Sequence, residues 1–116
     1  MENSPALREC LRAGKIIDVP ERPTWSTSTA GGVEPGAMTL DICRRVIDRQ
    51  LLVSETEIVD AARRLHREDG ELVEGAAAVA VAGFLKTAED YAGKTVALVI
   101  CGGNAEPDFE ALVREA

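Results

Sequence analysis

Residues 96–100 constrain the fold more than any other stretch, because five consecutive apolar residues end at Cys101, Gly102, Gly103 and Asn104. Such a run is typical of a strand buried on both faces of a parallel sheet. In open parallel sheets, ligands bind at the carboxyl ends of the strands. We therefore expect a small-molecule site at residues 101–104. The alternative is an ordinary strand-to-helix turn in which the glycines serve only the backbone geometry.

The charge of the chain excludes two classes of partner. The 116 residues carry a formal net charge of −7, and no basic stretch offers a footprint for phosphate groups. Nucleic acids and anionic membranes are therefore not expected partners. The longest apolar run, residues 76–85, is too short to span a bilayer, and we expect no signal peptide.

The cysteines indicate a reducing compartment. Cys10, Cys43 and Cys101 are an odd number at scattered spacing, with no C-x-x-C pair, so neither a disulfide framework nor a zinc site is predicted. His66 is the one histidine and cannot build a metal site by itself. We expect a cytoplasmic protein without a metal.

Capping signals divide the chain into helices and short strands. Ser4 before Pro5 predicts a helix N-cap, and Ser54 with Glu57 matches the capping box. Glu74 precedes a small, apolar helix, where a carboxylate also suits the helix dipole. The predicted elements are helices at 5–14, 37–47, 54–70, 74–85 and 107–116, strands at 15–19, 50–53 and 94–101, and a long loop at 20–36.

The predicted strands are too few and too short for a stable, two-sided parallel sheet. The strand at 96–100 would expose an apolar face or an unpaired edge, so the chain should need a partner. Helical sequence also begins directly after residues 1–4, without a strand before it. We therefore expect one incomplete domain, residues 1–116, that is a piece of something longer.

Four motifs, in order, resemble the C-terminal part of the fold-type II pyridoxal-phosphate enzymes, closest to the threonine/serine dehydratases, with serine racemase nearby. The resemblance covers essentially the whole chain, and the start, residues 2–7, is also similar. The motifs are STSTAGGVEPG at 26–36, LLVSETEI at 51–58, LVEGAA at 72–77 and VICGGN at 99–104. This implies an α/β fold: a partial parallel sheet flanked by helices, from the large domain of such an enzyme.

The resemblance also implies a cofactor site for pyridoxal 5'-phosphate. Cys101 matches the Ser or Cys that meets the pyridine nitrogen, and a neutral thiol leaves the ring a moderate electron sink, which suits β-elimination of water. The other matched positions are the turn Gly102, Gly103 and Asn104, the pocket glutamate Glu74, and Gly31 and Gly32 in the pocket-lining loop 20–36. No catalytic residue and no metal ligand is assigned to this chain.

The complete enzyme implied by the resemblance deaminates L-threonine or L-serine to a 2-oxo acid and ammonia. The family's Schiff-base lysine and its phosphate-binding loop lie upstream of the matched region, so we expect the chain alone to bind the cofactor weakly or not at all and to be inactive. A homo-oligomer, or association with the missing N-terminal part, is expected. Two alternatives remain: a non-catalytic α/β module that pairs with itself or a homologue, and a free-standing thiol enzyme using Cys101.

Overall fold

The computed structural model describes residues 1–115, which form a flat slab of 40 × 36 × 19 Å. A thickness of 19 Å is about that of two packed helices. Within this range the α-helices and 3₁₀ turns follow one another without an intervening strand. They are α1 Ala6–Ala13, a turn at Thr27–Thr29, α2 Met38–Val46, α3 Glu55–Asp69, α4 Gly75–Thr87, a turn at Ala88–Tyr91, and α5 Pro107–Arg114.

The helix predictions agree with these bounds to within a few residues. The capping box at α3 is present, with Ser54 Oγ accepting from the Glu57 N–H and Glu57 accepting from the Ser54 N–H. Gly14 and Gly70 end α1 and α3 in the left-handed conformation that glycine adopts without a Cβ penalty. The predicted end of the last helix at Ala116 lies outside the described residues.

The N-cap prediction for α1 is wrong. Pro5 occupies that position, and no side chain caps it. The Ser4 hydroxyl instead donates to Glu21 Oε1 at 3.1 Å and accepts from the Gly31 N–H at 3.1 Å. Ser4 thus links the start of the chain to the long loop rather than satisfying the helix.

The predicted parallel sheet is also absent from residues 1–115, since 15–19, 50–53 and 94–101 carry no regular secondary structure. Only isolated backbone bonds join such segments, for example from the Glu2 N–H to the Val53 carbonyl at 2.8 Å. A ladder needs a neighbouring strand along its length. Residues 96–100 are correspondingly exposed, with Val99 at 73%.

The hydrophobic core lies between α3, α4 and α5. Small residues dominate the contact between α3 and α4, and larger side chains close it from α5 and the two segments that precede α3 and α4. Its buried members are Val53, Ile58, Val59, Ala61, Ala62, Val73, Ala77, Ala78, Val81, Ala82, Phe109 and Val113. No helix of the described chain is both long and apolar enough to cross a membrane.

The two glycines of α4 differ in the space around them. A Cβ built on Gly75 would collide with the backbone carbonyl of Trp25, whereas one built on Gly83 would meet Leu51 Cδ1 at 3.9 Å, an ordinary contact. The start of α4 is therefore in tight contact with the long loop. Its middle is not.

We expect Gly75→Ala to destabilise the chain by about 2 kcal/mol, because a backbone carbonyl cannot rotate away as a side chain can. Gly83→Ala is the matched control and should stabilise by about 0.5 kcal/mol through helix propensity. Denaturant unfolding of both variants measures the difference. Equal effects of the two substitutions would contradict the close approach at Gly75.

Glu57 makes part of the stability depend on pH. The pKa of its carboxyl is lowered from 4.5, chiefly because the Ser54 N–H donates to it and also because Lys86 Nζ does. A lowered folded pKa contributes stability that is present above pH 4.5 and is lost as the pH falls through the folded pKa. Because the side chain is 37% exposed, the contribution is small, about 0.5 kcal/mol.

Glu57→Gln should therefore be less stable than the wild type at pH 7, and the difference should vanish as the pH falls from 4.5 through the lowered folded pKa of Glu57. Urea unfolding across this range measures the effect. A difference that stayed constant with pH would show that the ionised carboxyl has no part in it.

Candidate functional site

Three segments that are distant in sequence meet at the start of α4. Glu74 accepts a hydrogen bond from Ser28 Oγ at 2.6 Å through its Oε1. The Glu74 N–H donates to the Gly102 carbonyl at 3.2 Å. The junction therefore joins the long loop, the N-terminus of α4 and the turn that follows residues 96–100.

Gly102 is held against the Glu74 side chain. A Cβ built on Gly102 would lie 2.6 Å from Glu74 Oε1 and as close to its aliphatic stem. Only a residue without a side chain fits beside the carboxylate in this arrangement. At Gly103, by contrast, nothing lies within 4 Å of a built Cβ, so this side of the turn is open to a ligand.

The hydroxyl-rich turn at residues 26–29 is ordered by its own side chains. Ser26 is fully buried, and its Oγ pairs with Thr29 Oγ1 at 2.6 Å. Thr24 Oγ1 accepts from the Ser26 N–H at 3.1 Å. These bonds fold the loop into the Thr27–Thr29 turn, which presents Ser28 to Glu74.

A small polar cleft of about 180 Å³ opens at this junction. Residues with hydroxyl, carboxylate and amide side chains line it, together with two aromatic residues. Its lining residues are Trp25, Thr27, Ser28, Glu74, Gly75, Ala76, Asn104, Glu106 and Phe109. Such a cleft can orient a small molecule through hydrogen bonds.

The residues selected from sequence are thus divided. Glu74, Gly102 and Asn104 come together at the junction. Gly31 and Gly32 line a different and larger groove of about 910 Å³, which runs between the long loop, α1 and α2. Ser28 lines both cavities.

Cys101 and Gly103 lie beside the junction on the exposed side of the turn. The Cys101 thiol is free and accessible to a ligand. Neither residue lines the polar cleft. Their position is therefore compatible with a group that approaches the turn from outside the described structure.

Several residues at the junction were not predicted from the sequence. Ser28 belongs to a conspicuous hydroxyl run, which could have signalled it, but its pairing with Glu74 spans 46 residues. No local sequence pattern indicated that Trp25 or Glu106 would line this cleft. Their roles depend on how α5 and the long loop pack against α4.

Two of the lysines are engaged in structure. Lys86 Nζ donates to the Leu52 carbonyl at 3.0 Å and to Glu57, and Lys94 lies 5.7 Å from the centre of the Tyr91 ring. Among residues 1–115 no group of three or more histidine, cysteine or acidic side chains is arranged to hold a metal ion.

Comparison with known proteins places this chain in a family. Residues 1–102 match the family described as pyridoxal-phosphate dependent enzyme. An L-threonine ammonia-lyase from Thermotoga maritima is 37% identical over 105 residues, which are 90% of this chain and 26% of that protein. Another from Geobacter sulfurreducens is 38% identical over 113 residues, 97% of this chain and 28% of that protein. The chain thus spans little more than a quarter of the length of these relatives.

Two solved structures of enzymes are also similar to this chain. Serine racemase from Dictyostelium discoideum superposes with a TM-score of 0.75 at 25% identity, over 89% of this chain and 33% of that one. A fungal L-serine ammonia-lyase from Rhizomucor miehei gives a TM-score of 0.69 over 99% of this chain and 38% of that one, and at 18% identity this likeness concerns the fold alone.

The residues at 101–103 would leave room for one side of a pyridoxal-phosphate ring. The Cys101 thiol is accessible, and nothing lies within 4 Å of a Cβ built on Gly103. The expected cofactor and family are confirmed, and the chain belongs to the pyridoxal-phosphate dependent enzymes.

Proposed function

We propose that this chain forms one wall of the cofactor site in a fold-type II threonine/serine dehydratase. The complete enzyme would convert L-threonine or L-serine to a 2-oxo acid and ammonia. One observation carries the proposal: Ser28, Glu74 and Gly102 converge at the start of α4, and Cys101 directly precedes Gly102 in the chain. The threonine ammonia-lyase relatives suggest the reaction.

Cys101 would contact the pyridine nitrogen. Bound pyridoxal phosphate supplies an electron sink for negative charge at the substrate α-carbon. A thiol is a weak hydrogen-bond donor and keeps the ring nitrogen unprotonated more readily than a carboxylate would. That balance favours loss of the β-hydroxyl as water.

Glu74 and Ser28 would fix the shape of the wall. Their hydrogen bond holds the carboxylate over Gly102, which keeps the turn at 101–104 close to α4. Asn104, at the rim of the cleft, would hold the ligand side of this turn. Gly31 and Gly32 would line the same pocket only if the larger groove is continuous with it through Ser28.

The reacting lysine and the phosphate-binding loop would come from the rest of the enzyme. Val96, Leu98, Val99 and Ile100 are each at least 38% exposed, an apolar strip that suits pairing with a neighbouring strand. We infer that the chain alone holds the cofactor weakly and is inactive. The three free cysteines and the acidic charge suit a cytoplasmic enzyme.

The main alternative is a non-catalytic module that uses the same strip to pair with itself or with a homologue. This alternative also uses the exposed apolar residues, but under it the Ser28–Glu74–Gly102 junction has no function. Substitutions at the junction therefore separate the two functions.

A chimera tests the proposed function. The T. maritima L-threonine ammonia-lyase would carry this chain in place of its matched 105 residues. We expect the chimera to bind pyridoxal phosphate, seen as visible absorbance, and to release ammonia from L-threonine, while the chain alone does neither. A folded chimera without cofactor absorbance would contradict the proposal, as would deamination by the chain alone.

Gly102→Ala in the chimera should lower the catalytic efficiency about tenfold, equivalent to about 1.4 kcal/mol, because the new methyl group displaces the Glu74 side chain. Glu74→Ala should cost a similar amount, and the double variant no more than either. Such non-additivity is the signature of two residues that act as one unit.

Gly83→Ala, on α4 but away from the junction, is the control and should change the activity less than twofold. Fully additive losses at Gly102 and Glu74 would show that their contact does not shape the site.

A further inference from the structure

We propose that Glu55 is a positioning residue that holds the hydroxyl-rich turn 26–29 against Glu74. Its carboxylate fixes the backbone at Trp25, the residue immediately before that turn. The inference deepens the proposed function and rests on it for its catalytic meaning. The contact itself can be tested without the cofactor.

Glu55 directs its hydrogen bond away from its own helix. It is the first residue of α3, and its Oε2 accepts from the Trp25 N–H at 2.8 Å, across 30 residues of sequence. The other oxygen, Oε1, is buried and has no hydrogen-bond partner within residues 1–115. Burying a carboxylate oxygen without a hydrogen-bond partner costs free energy. The bond from the Trp25 N–H is therefore a specific contact of this carboxylate.

The start of α3 does not need Glu55. Ser54 and Glu57 form a complete capping box, in which each side chain accepts from the backbone N–H of the other. Loss of the Glu55 carboxylate should therefore leave α3 intact. The segment that loses its anchor is the loop that contains Trp25.

Trp25 is held from three directions. Its N–H is bound by Glu55 from α3, its carbonyl is pressed against Gly75 of α4, and its indole lies 5.3 Å from the Phe109 ring of α5. Of these contacts, only the bond to Glu55 fixes the direction of the backbone through a charged acceptor.

Three residues after Trp25, Ser28 reaches Glu74 at 2.6 Å. The turn between them is closed by the Ser26–Thr29 hydroxyl pair, so it moves as one unit. A shift of the Trp25 backbone would therefore carry Ser28 away from Glu74. Through this turn, Glu55 sets the geometry of the wall that faces the cofactor, although it does not line the polar cleft.

The test uses the 116-residue chain and three variants. Glu55→Ala removes the acceptor, Glu55→Gln keeps an oxygen that can accept the same bond, and Thr56→Ala changes the exposed neighbour in the same helical turn. Two signals are measured: amide hydrogen exchange at residues 25–29, and the fluorescence of Trp25, the one tryptophan of the chain.

We expect Glu55→Ala to accelerate exchange at residues 25–29 about tenfold or more and to shift the Trp25 emission to longer wavelength. Exchange at Ala61 and Ala62, in the core of α3, should not change. Glu55→Gln should restore exchange at 25–29 to within about threefold of the wild type, and Thr56→Ala should match the wild type.

Three results would each overturn the inference: unchanged exchange at residues 25–29 in Glu55→Ala, an equal acceleration at Ala61 and Ala62, or a failure of Glu55→Gln to restore protection. The second would assign Glu55 a merely structural role in α3. Because every measurement is made on the free chain, these results are independent of whether the chimera binds the cofactor.

Discussion

The close packing of α3 on α4 is the contact on which the rest of the structure depends. Alanines face each other across it, with Ala61 and Ala62 on one helix and Ala77 and Ala78 on the other, all essentially buried. Small side chains let the two backbones approach, and Phe109 and Val113 of α5 close the core behind them. This contact fixes the N-terminus of α4, where Glu74 meets both the long loop and the turn at Gly102.

Two other parts of the surface expose apolar side chains. Residues 96–100 are apolar and exposed, and the groove between α1 and α2 presents Leu7 and Met38 to solvent. The helical core can form within this chain because its partners are all present. A sheet cannot, because each strand needs a neighbour on at least one side. The proposed assembly with the remainder of the enzyme accounts for both observations.

Local signals in the sequence predicted the helices well. The capping box at Ser54 and Glu57 identified the start of α3, and Gly70 its end, because both signals act within one turn. The N-cap prediction for Ser4 was wrong because its hydroxyl forms hydrogen bonds with Glu21 and Gly31, which are distant in sequence. The family resemblance proposed Glu74 and residues 101–104 as site residues. It did not propose Ser28, Trp25 or Glu55, whose contacts span 30 residues or more.

We propose that residues 94–101 form a sheet strand only when the rest of the enzyme is present, and that the cofactor wall is completed at the same time. Amide hydrogen exchange at these residues, compared between the free chain and the chimera, tests it most directly. We expect rapid exchange in the free chain and strong protection in the chimera. Strong protection in the free chain, or continued rapid exchange in a folded chimera, would contradict it.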